Sequence, residues 1–332
     1  MKVAVFNTKS YDREFFERFN PSGKNQLTYF EASLTINTVN LSQGFETVCV
    51  FVNDKIDNAV IEKLSSYGVK LIVLRCAGFN NIDIKAANEK EIKILRVPAY
   101  SPQAIAEHAV ALILTLNRKT HKAYNRIREN NYSLEKLLGF NLDGKTTGVI
   151  GTGRTGAAFC RIMLGFGCSV IANDILESEE LKSAGVEYKP LDELLETSDI
   201  ISLHCPLTPD TKHLINKDAF SKMKKGVMLI NTSRGAVINT THAIQALKTG
   251  KLGYLGMDVY EQEENLFFKD LSESIIQDDI IARLMSFPNV LITAHQGFFT
   301  KEAVEQIVTT TFKNISDFEN GVQSTNEVKF EK

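Results

Sequence analysis

The sequence lacks the features that mark secreted, membrane and metal-binding proteins. Its 5 cysteines among 332 residues are odd in number, widely scattered and without a CxxC pair, which predicts neither a disulfide framework nor a zinc site. No stretch approaches the ~18 to 20 apolar residues of a membrane span. The opening residues MKVAVF are too short an apolar run for a signal peptide. We therefore expect a cytoplasmic protein with reduced thiols and no membrane or metal partner.

Charge of one sign is also missing. The 38 Lys and Arg residues nearly balance the 40 Asp and Glu residues, giving a net charge of −2 without any block of like charges. A nucleic-acid-binding chain usually shows a basic patch or stripe. We therefore expect no nucleic-acid partner, and we look for a small-molecule site instead.

What is present indicates two α/β domains, because 332 residues exceed the usual size of one hydrophobic core. In the first hundred residues, apolar runs typical of buried parallel strands alternate with segments of helical spacing. The predicted strands are 2–6, 47–52, 70–75 and 92–97, and the predicted helices are 56–67 and 82–91. This alternation predicts a wound α/β domain.

A second βα series follows a long predicted helix over residues 101–129, where Ser101 is the expected N-cap and Pro102 the first helical residue. The strands of this series are predicted at 147–150, 169–173, 200–204, 227–231, 255–258 and 290–293. A last helix is predicted over 301–320. Its hydrophobic pattern does not decide which domain it joins.

The segment TGVIGTGRTG, residues 147–156, places a GxGxxG motif between a strand and a helix. We expect Gly151 to permit the tight turn, Gly153 to let the backbone approach a pyrophosphate, and Gly156 to allow close packing of helix on strand. The helix N-terminus then offers free N–H groups to phosphates. The segment predicts a dinucleotide site.

The acid at the end of the next predicted strand favours NAD over NADP. Asp174 lies 23 positions after Gly151, close to the ~20 expected for the residue that holds the adenosine ribose hydroxyls. No Arg follows Asp174 directly, so a 2′-phosphate would meet a carboxylate with nothing to neutralise it.

Further motifs stand at or just past strand ends, where open α/β sheets bind ligands. They are HCPLTP at 204–209, NTSRG at 231–235, DVYEQE at 258–263 and HQGFF at 295–299, with RCAGFNNID at 75–83 and VPAYSP at 97–102 in the first half. Together these motifs resemble the NAD-dependent D-2-hydroxyacid dehydrogenase family over essentially the whole chain. Details such as CAGFNN, EENLFF and HQGFF look most like the bacterial fermentative D-lactate dehydrogenases.

Three residues carry the chemistry that the resemblance implies, the reversible reduction of pyruvate to D-lactate by NADH. Arg234 supplies a planar fork of donors for a carboxylate and polarises the adjacent carbonyl. His295 is the natural proton donor, because an imidazole titrates near neutral pH. Glu263 would orient the His295 ring and favour its charged form. The family's Arg, Glu and His positions are all intact here.

The resemblance also implies a wider set of site residues. Cofactor contacts are expected from Arg154, Thr155, Cys205, Pro206, Thr211, Thr232, Ser233, Arg234 and Asp258, besides the three glycines and Asp174. Thr211 departs from the pattern, because many D-lactate dehydrogenases carry Asn there. Substrate contacts are expected from Phe51, Ala77, Gly78, Tyr100, Arg234, His295 and Phe299. His204 is interpreted as part of the groove wall and not as a second base.

The implied architecture is a pair of doubly wound parallel-sheet domains. A flavodoxin-like substrate domain would comprise residues 1–100 and 299–332, and a Rossmann NAD-binding domain would comprise 101–298. The resemblance further implies a homodimer or homotetramer.

Two kinds of alternative remain open at this stage. Within enzymes, the chain could act on larger branched 2-oxo acids, or on phosphoglycerate or hydroxypyruvate, although no extra basic cluster for a substrate phosphate is visible. Outside enzymes, some transcriptional corepressors resemble this family and sense NAD(H) while retaining the catalytic residues. Against that reading, we expect no partner-docking extension.

Overall fold

Two parallel sheets organise the chain. A computed structural model describes residues 1–20 and 23–329. The chain divides into unit 1, which is Met1–Ser101 with the described part of Phe299–Lys332, and unit 2, which is Pro102–Phe298. Within the described residues, the strands form one five-stranded and one seven-stranded sheet. The predicted α/β fold class with two wound parallel sheets is confirmed.

The strand bounds are short and close to the apolar runs of the sequence. In chain order the strands are β1 (Lys2–Val5), β2 (Gln26–Tyr29), β3 (Thr47–Val50), β4 (Leu71–Leu74), β5 (Lys93–Arg96), β6 (Thr146–Ile150), β7 (Ser169–Asn173), β8 (Glu187–Tyr188), β9 (Ile200–Leu203), β10 (Val227–Asn231), β11 (Leu252–Met257) and β12 (Val290–Ile292).

The helices cover the faces of both sheets. They are α1 (Ser10–Phe19), α2 (Asn58–Ser66), α3 (Ile84–Glu89), α4 (Pro102–Arg118), α5 (Thr120–Arg128), α6 (Arg154–Gly165), α7 (Glu179–Ser183), α8 (Leu191–Thr197), α9 (Lys217–Lys222), α10 (Thr240–Lys248), α11 (Asp279–Met285) and α12 (Lys301–Glu319). Short 3-10 turns lie at Val39–Ser42, Gly235–Val237 and Glu263–Asn265. No helix in the described ranges is long and apolar enough to cross a membrane.

The sheet of unit 1 runs in the order β2-β1-β3-β4-β5 with every described pair parallel. This is the flavodoxin-like order, with the switch point between β1 and β3. Every residue of β3 and β4 is buried, as expected of strands covered on both faces. Helix α12 belongs to this unit and packs Val308, Phe312 and Ile315 into its core.

The sheet of unit 2 runs β12-β11-β10-β9-β6-β7-β8, again parallel throughout its described pairs. Six of these strands follow the Rossmann order, and its switch point lies between β6 and β9. The carboxyl ends of these two strands lead into the GxGxxG turn and the HCPLTP loop.

Two elements of unit 1 were not predicted, and one predicted helix is broken. Helix α1 buries only Asp12 and Phe16, and the edge strand β2 is fully buried nowhere, so neither leaves a strong apolar pattern. The single helix expected over 101–129 stops at Arg118, because Lys119 adopts a left-handed φ of 51°. Helix α5 after it buries no residue.

Candidate active site

The first and third glycines of GxGxxG are required by close backbone packing. Gly151 has a φ of +92°, and a Cβ there would lie 2.6 Å from the backbone nitrogen of Cys205. A Cβ on Gly156 would lie 1.9 Å from the Gly151 carbonyl oxygen. Helix α6 therefore packs directly onto the turn after β6, as the sequence predicts.

The middle glycine faces open space. Gly153 is the N-cap of α6, and a Cβ built on it meets nothing within 4 Å. Exposed Arg154 and half-buried Thr155 follow as the first residues of this 12-residue helix. The free N–H groups at this end of α6 fit a pyrophosphate, because they carry the positive end of the helix dipole.

Asp174 follows β7 and is held by the glycine turn. Its Oδ2 accepts hydrogen bonds from the backbone nitrogen of Thr152 and, at 3.0 Å, from the Thr152 hydroxyl, while Oδ1 accepts from the Leu176 nitrogen at 3.2 Å. Burial opposes ionisation of Asp174, but these bonds outweigh it and hold its pKa below the ordinary value. An ionised carboxylate in this place fits the ribose hydroxyls of NAD.

Thr152 is a residue of this site that sequence reasoning missed. The Tyr188 hydroxyl donates to the Thr152 hydroxyl at 2.9 Å and accepts from the Ser178 nitrogen at 3.0 Å. A chain of hydrogen bonds thus links the glycine turn, the end of β7 and β8. The only sequence signal for this role of Thr152 is its place as the second residue of the GxGxxG motif.

The loop after β9 begins with groups that do not ionise near neutral pH. Burial lowers the pKa of His204 to about 3 and raises the pKa of the Cys205 thiol to about 11. The His204 ring lies 4.9 Å from the Phe159 ring, and its Nε2 is 2.9 Å from the Ser202 hydroxyl. A neutral, packed imidazole agrees with the interpretation of His204 as groove wall.

In the loop after β9, exposed Pro206 follows Cys205. This part of the loop is held by the side chain of Thr211. Its hydroxyl donates to the Pro206 carbonyl at 2.6 Å and accepts from the Thr208 nitrogen at 2.7 Å. The hydroxyl therefore closes the turn that carries Pro206. A cofactor contact through Thr211 stays a prediction.

Asn231, buried at the end of β10, organises the loop that carries Arg234. Its side-chain oxygen accepts from the Ser233 nitrogen at 3.0 Å, and its amide donates to the Arg234 carbonyl at 2.9 Å. Gly235 is required next, because a Cβ there would lie 2.1 Å from the backbone of Tyr260. The half-buried Arg234 guanidinium donates through Nη1 to the Ser233 carbonyl at 2.7 Å.

Thr232 carries an observation that supports cofactor binding. Its hydroxyl oxygen is buried, and no hydrogen-bond partner is found for it among the described residues. Burying a hydroxyl without a partner is costly, which makes a polar atom of a ligand a natural partner. Together with the open space at Gly153 and the ionised Asp174, Thr232 fits a dinucleotide.

His295 and Glu263 meet as the sequence predicts. The Nδ1 atom of His295 lies 2.8 Å from Glu263 Oε1, and Glu263 Oε2 accepts from the Tyr260 nitrogen at 2.9 Å. Both side chains are partly exposed, at 21% and 23%. His295 has a left-handed φ of 54°, which is uncommon for a residue other than glycine. Strained backbone conformations of this kind occur most often at functional sites. The carboxylate therefore holds the ring through Nδ1 and does not engage Nε2.

Asp258, at the end of β11, holds the loop that bears His295. Its carboxylate accepts from Thr293 at 2.6 Å and from the backbone nitrogens of Gln296 and Gly297 at 2.9 and 2.8 Å. The His108 Nε2 lies 3.3 Å from the same carboxylate. Burial opposes ionisation, yet the hydrogen bonds from His108 and Thr293 keep the Asp258 pKa below its ordinary value. Sequence reasoning missed His108, which lies on α4, 150 positions before Asp258.

Within unit 1, the residues expected to contact substrate also follow strand ends. Phe51 comes after β3 and is 8% exposed. Half-buried Ala77 and Gly78 come after β4, and Arg96 donates to the Ala77 carbonyl at 2.7 Å. Arg96 therefore fixes the peptide between Ala77 and Gly78, the two residues predicted to contact substrate here, and sequence reasoning missed this contact.

The other two residues of the predicted substrate set lie elsewhere in unit 1. Tyr100 is half-buried in the segment after β5. Phe299 precedes α12, is 47% exposed, and packs edge-on against Tyr11 with ring centroids 4.6 Å apart. Across the described part of the chain, no group of three or more His, Cys, Asp or Glu side chains is placed to hold a metal ion.

Known proteins match both the sequence and the fold. Residues 110–297 match the family described as the D-isomer specific 2-hydroxyacid dehydrogenase, NAD binding domain. The chain is 51% identical to D-lactate dehydrogenase of Escherichia coli over 328 residues, which is 99% of this chain and 100% of that one.

Solved structures agree with the sequence match. The apo-structure of D-lactate dehydrogenase from Escherichia coli gives a TM-score of 0.92 at 49% identity, covering 99% of this chain and 100% of that one. The D-lactate dehydrogenase from Aquifex aeolicus complexed with NAD and lactic acid gives 0.87 at 35% identity, with 99% and 100% covered. The chain therefore belongs to the D-isomer-specific 2-hydroxyacid dehydrogenase family and is an NAD-dependent oxidoreductase.

Proposed function

We propose that this enzyme reduces pyruvate to D-lactate with NADH, reversibly. The observation that carries the proposal is the His295–Glu263 pair, in which a glutamate holds Nδ1 at 2.8 Å and is itself held by the Tyr260 nitrogen. The choice of pyruvate is supported by the full-length similarity to the Escherichia coli D-lactate dehydrogenase.

His295 is the proposed acid and base. Protonated, the imidazole donates from Nε2 to the oxygen on C2 of the 2-oxo acid as that oxygen becomes an alkoxide; neutral, it takes the hydroxyl proton in the reverse direction. Glu263 stabilises the imidazolium, because a carboxylate beside a cation favours the charged form.

Arg234 is the proposed anchor for the substrate carboxylate. A guanidinium presents two parallel N–H donors to a carboxylate, a geometry that one ammonium does not reproduce. The bonds that Asn231 makes to Ser233 and Arg234 keep the loop in place while the guanidinium engages the substrate. Donation toward the carbonyl oxygen would also polarise it for reduction.

When bound, NADH supplies the hydride that C2 accepts. We propose that Gly151, Gly153, Gly156, Arg154 and Thr155 hold its pyrophosphate and that Asp174 holds its adenosine ribose, as the open space at Gly153 supports. The remaining proposed cofactor residues line the loops after β9, β10 and β11: Cys205, Pro206, Thr211, Thr232, Ser233, Arg234 and Asp258.

We propose that unit 1 binds the rest of the substrate, which makes residues 1–100 and 299–332 the substrate domain and 101–298 the NAD domain. The Ala77 and Gly78 N–H groups, fixed by Arg96, would bind the carboxylate. Tyr100 would also contact the substrate. Phe51 and Phe299 would restrict its side chain to about the size of a methyl group. Because one methylene in an apolar pocket contributes only ~1–3 kcal/mol, the preference would be graded.

Steady-state kinetics with NADH and a panel of 2-oxo acids tests the proposal. We expect kcat/KM to be highest for pyruvate, lower for 2-oxobutyrate and lowest for 2-oxoisocaproate, with D-lactate and not L-lactate oxidised in reverse. A preference for 2-oxoisocaproate would instead identify a branched-chain enzyme. NADH binding without turnover of any 2-oxo acid would identify a cofactor-sensing protein.

We also propose that the enzyme works as a homo-oligomer. Large apolar side chains cluster on the surface of residues 120–141, where Tyr132, Leu134 and Leu138 are 71%, 83% and 87% exposed. An exposed apolar patch of this kind marks an interaction surface. Light scattering should give a mass of two or four chains, and Leu134→Asp with Leu138→Asp should lower it. A monomer at micromolar concentration would contradict the proposal.

We further propose a cytoplasmic location. All five cysteines are buried and none is joined in a disulfide, as in proteins kept reduced by the cytosolic thiol pool. Cell fractionation with an antibody against the chain tests this, and recovery in a secreted fraction would contradict it.

A further inference from the structure

A buried arginine lies at the centre of the strand ends of unit 1. Arg75, directly after β4, is 2% exposed. Its Nη2 donates to the carbonyls of Phe6 and Asn7, each at 2.8 Å, and its Nη1 donates to Asp12 at 3.2 Å. Burying a charge costs free energy unless the charge is paired and hydrogen-bonded, and the Arg75 guanidinium meets both conditions.

Asp12, the other member of this ion pair, is also held by a backbone group at the start of its own helix. It lies in the first turn of α1, where its second carboxylate oxygen accepts from the Lys9 nitrogen at 2.9 Å. Its side chain is 8% exposed. The pair therefore joins α1 to the ends of β1 and β4 in one fixed geometry.

The guanidinium also holds the ring of Phe51. The Arg75 Cζ atom lies 4.7 Å from the centre of that ring, a cation–π contact. The Phe51 backbone is fixed independently, because Asp54 accepts from its nitrogen at 2.5 Å and Asn81 donates to its carbonyl at 3.0 Å. Arg75 therefore contacts the ring while Asp54 and Asn81 hold the backbone.

The Arg75–Asp12 pair is also connected to Phe299, through Tyr11. Tyr11 precedes Asp12 in α1, and its ring packs edge-on against Phe299 at 4.6 Å. Edge-to-face aromatic pairs have a preferred geometry, so a fixed Tyr11 restricts Phe299. Asp12 and Arg75 thus support both aromatic rings that the proposed function assigns to substrate selection.

We infer that Arg75, Asp12 and Tyr11 are positioning residues for substrate size, with the buried Arg75–Asp12 pair holding Phe51 directly and Phe299 through Tyr11. This inference rests on the proposed function, since it concerns how the enzyme prefers pyruvate. None of the three needs to touch substrate. Their effect is on the ratio of specificity constants between small and large 2-oxo acids.

The test compares Arg75→Lys and Tyr11→Leu with the unsubstituted enzyme on pyruvate and 2-oxoisocaproate. Lysine keeps the charge but lacks the planar fork that spans Asp12 and two carbonyls. We expect Arg75→Lys to reduce the pyruvate-to-2-oxoisocaproate ratio of kcat/KM at least about tenfold, on the scale of one methylene. Tyr11→Leu should reduce it by about two- to tenfold, the value of one aromatic pair.

The matched control is Tyr11→Phe, which keeps the ring and its contact with Phe299 and should leave the ratio within about twofold, well inside the range of one aromatic pair. NADH affinity, measured by fluorescence, should stay unchanged in all three variants. If Arg75→Lys does not fold, the Tyr11→Leu and Tyr11→Phe comparison still decides.

Uniform loss of kcat/KM on both acids, or an unchanged ratio in Tyr11→Leu, would overturn the inference. A preference for 2-oxoisocaproate in the unsubstituted enzyme would overturn the proposed function instead.

Discussion

Two histidine–glutamate pairs lie on the loops of unit 2, and they differ in the nitrogen that is engaged. In His295–Glu263 the glutamate binds Nδ1 at 2.8 Å; in His213–Glu261 it binds Nε2 at 2.5 Å. Both histidines have a φ of 54°. Nε2 is the ring nitrogen that lies further from the backbone. In His213 this nitrogen is bound by Glu261, whereas in His295 Glu263 does not engage it.

The glutamates of the two pairs also have different second partners. Glu263 accepts from the Tyr260 nitrogen at 2.9 Å, whereas Glu261 accepts from the Thr240 hydroxyl at 3.0 Å. Through Thr240 and His213, Glu261 joins the loops after β9 and β11 to the start of α10. The comparison teaches that a His–Glu pair is not by itself a catalytic signature, since the same contact ties loops together when it occupies the distal nitrogen.

The largest expected difference is between the two histidines. His295→Gln should lower kcat for pyruvate at least ~10²-fold, because the proposed proton donor is lost. His213→Gln should keep activity within a few-fold, because an amide still reaches Glu261. Steady-state kinetics decides, with NADH binding as the control. Equal losses in the two variants would remove the distinction between the pairs.

Asp258 sharpens the comparison, because its carboxylate accepts hydrogen bonds from the loop of His295 and none is found from the loop of His213 within the described residues. Asp258→Asn should lower kcat about tenfold and the unfolding free energy by about 1–3 kcal/mol, since an amide group faces N–H donors. The pKa of Asp258 is lower in the folded state than its ordinary value. The ionised carboxylate therefore contributes fully to the free energy of unfolding above the pKa of the unfolded state, which is about 4. This contribution is lost as pH falls through the folded pKa.

Chemical denaturation at several pH values checks this expectation. The stability difference between native and Asp258→Asn enzyme should be full at neutral pH and shrink in acid. A difference that stays constant down to the acid limit would contradict the assignment of Asp258 as the ionised anchor of this loop.

The two glutamates should differ in their effect on kcat for pyruvate reduction, measured by steady-state kinetics. Glu263→Gln should reduce kcat several-fold, because a hydrogen bond from the His295 ring to a neutral amide is weaker than one to a carboxylate. The matched variant Glu261→Gln should leave kcat nearly unchanged. An equal loss in both variants would show that Glu263 has no special relation to His295.

The smallest expected effect is on stability at the second pair. The Glu261 pKa lies below its ordinary value: burial opposes this, but hydrogen bonds from His213 and Thr240 outweigh it. Because the pair is partly exposed, Glu261→Gln should lower the unfolding free energy by only about 0.5–1 kcal/mol. The loss should disappear as pH falls through the folded pKa of Glu261. An effect that grows in acid would contradict it.

Sequence reasoning predicted the site best where a motif is local. Gly151 and Gly156 have the close packing expected of GxGxxG. The contact of His295 with Glu263, 32 positions away, was predicted from the family resemblance and not from a local motif. Sequence reasoning missed Thr152 and Asn231, whose roles are hydrogen bonds within or between loops. It also missed helix α1 and strand β2, since one helix face with little burial and a half-buried edge strand leave weak periodicity.

By itself, the sequence determined the two α/β series, the dinucleotide turn and the residue types of the proposed chemistry, because strand period, glycine spacing and motif order are properties of neighbouring residues. Only the tertiary structure decided which nitrogen of His295 its glutamate engages and that His213 pairs with Glu261. It also decided that half-buried His108 and buried Arg75 are partners of distant carboxylates. Those pairings depend on which loops the parallel strands bring to one sheet edge and on how much water burial removes. Neither quantity can be read from residues adjacent in the chain.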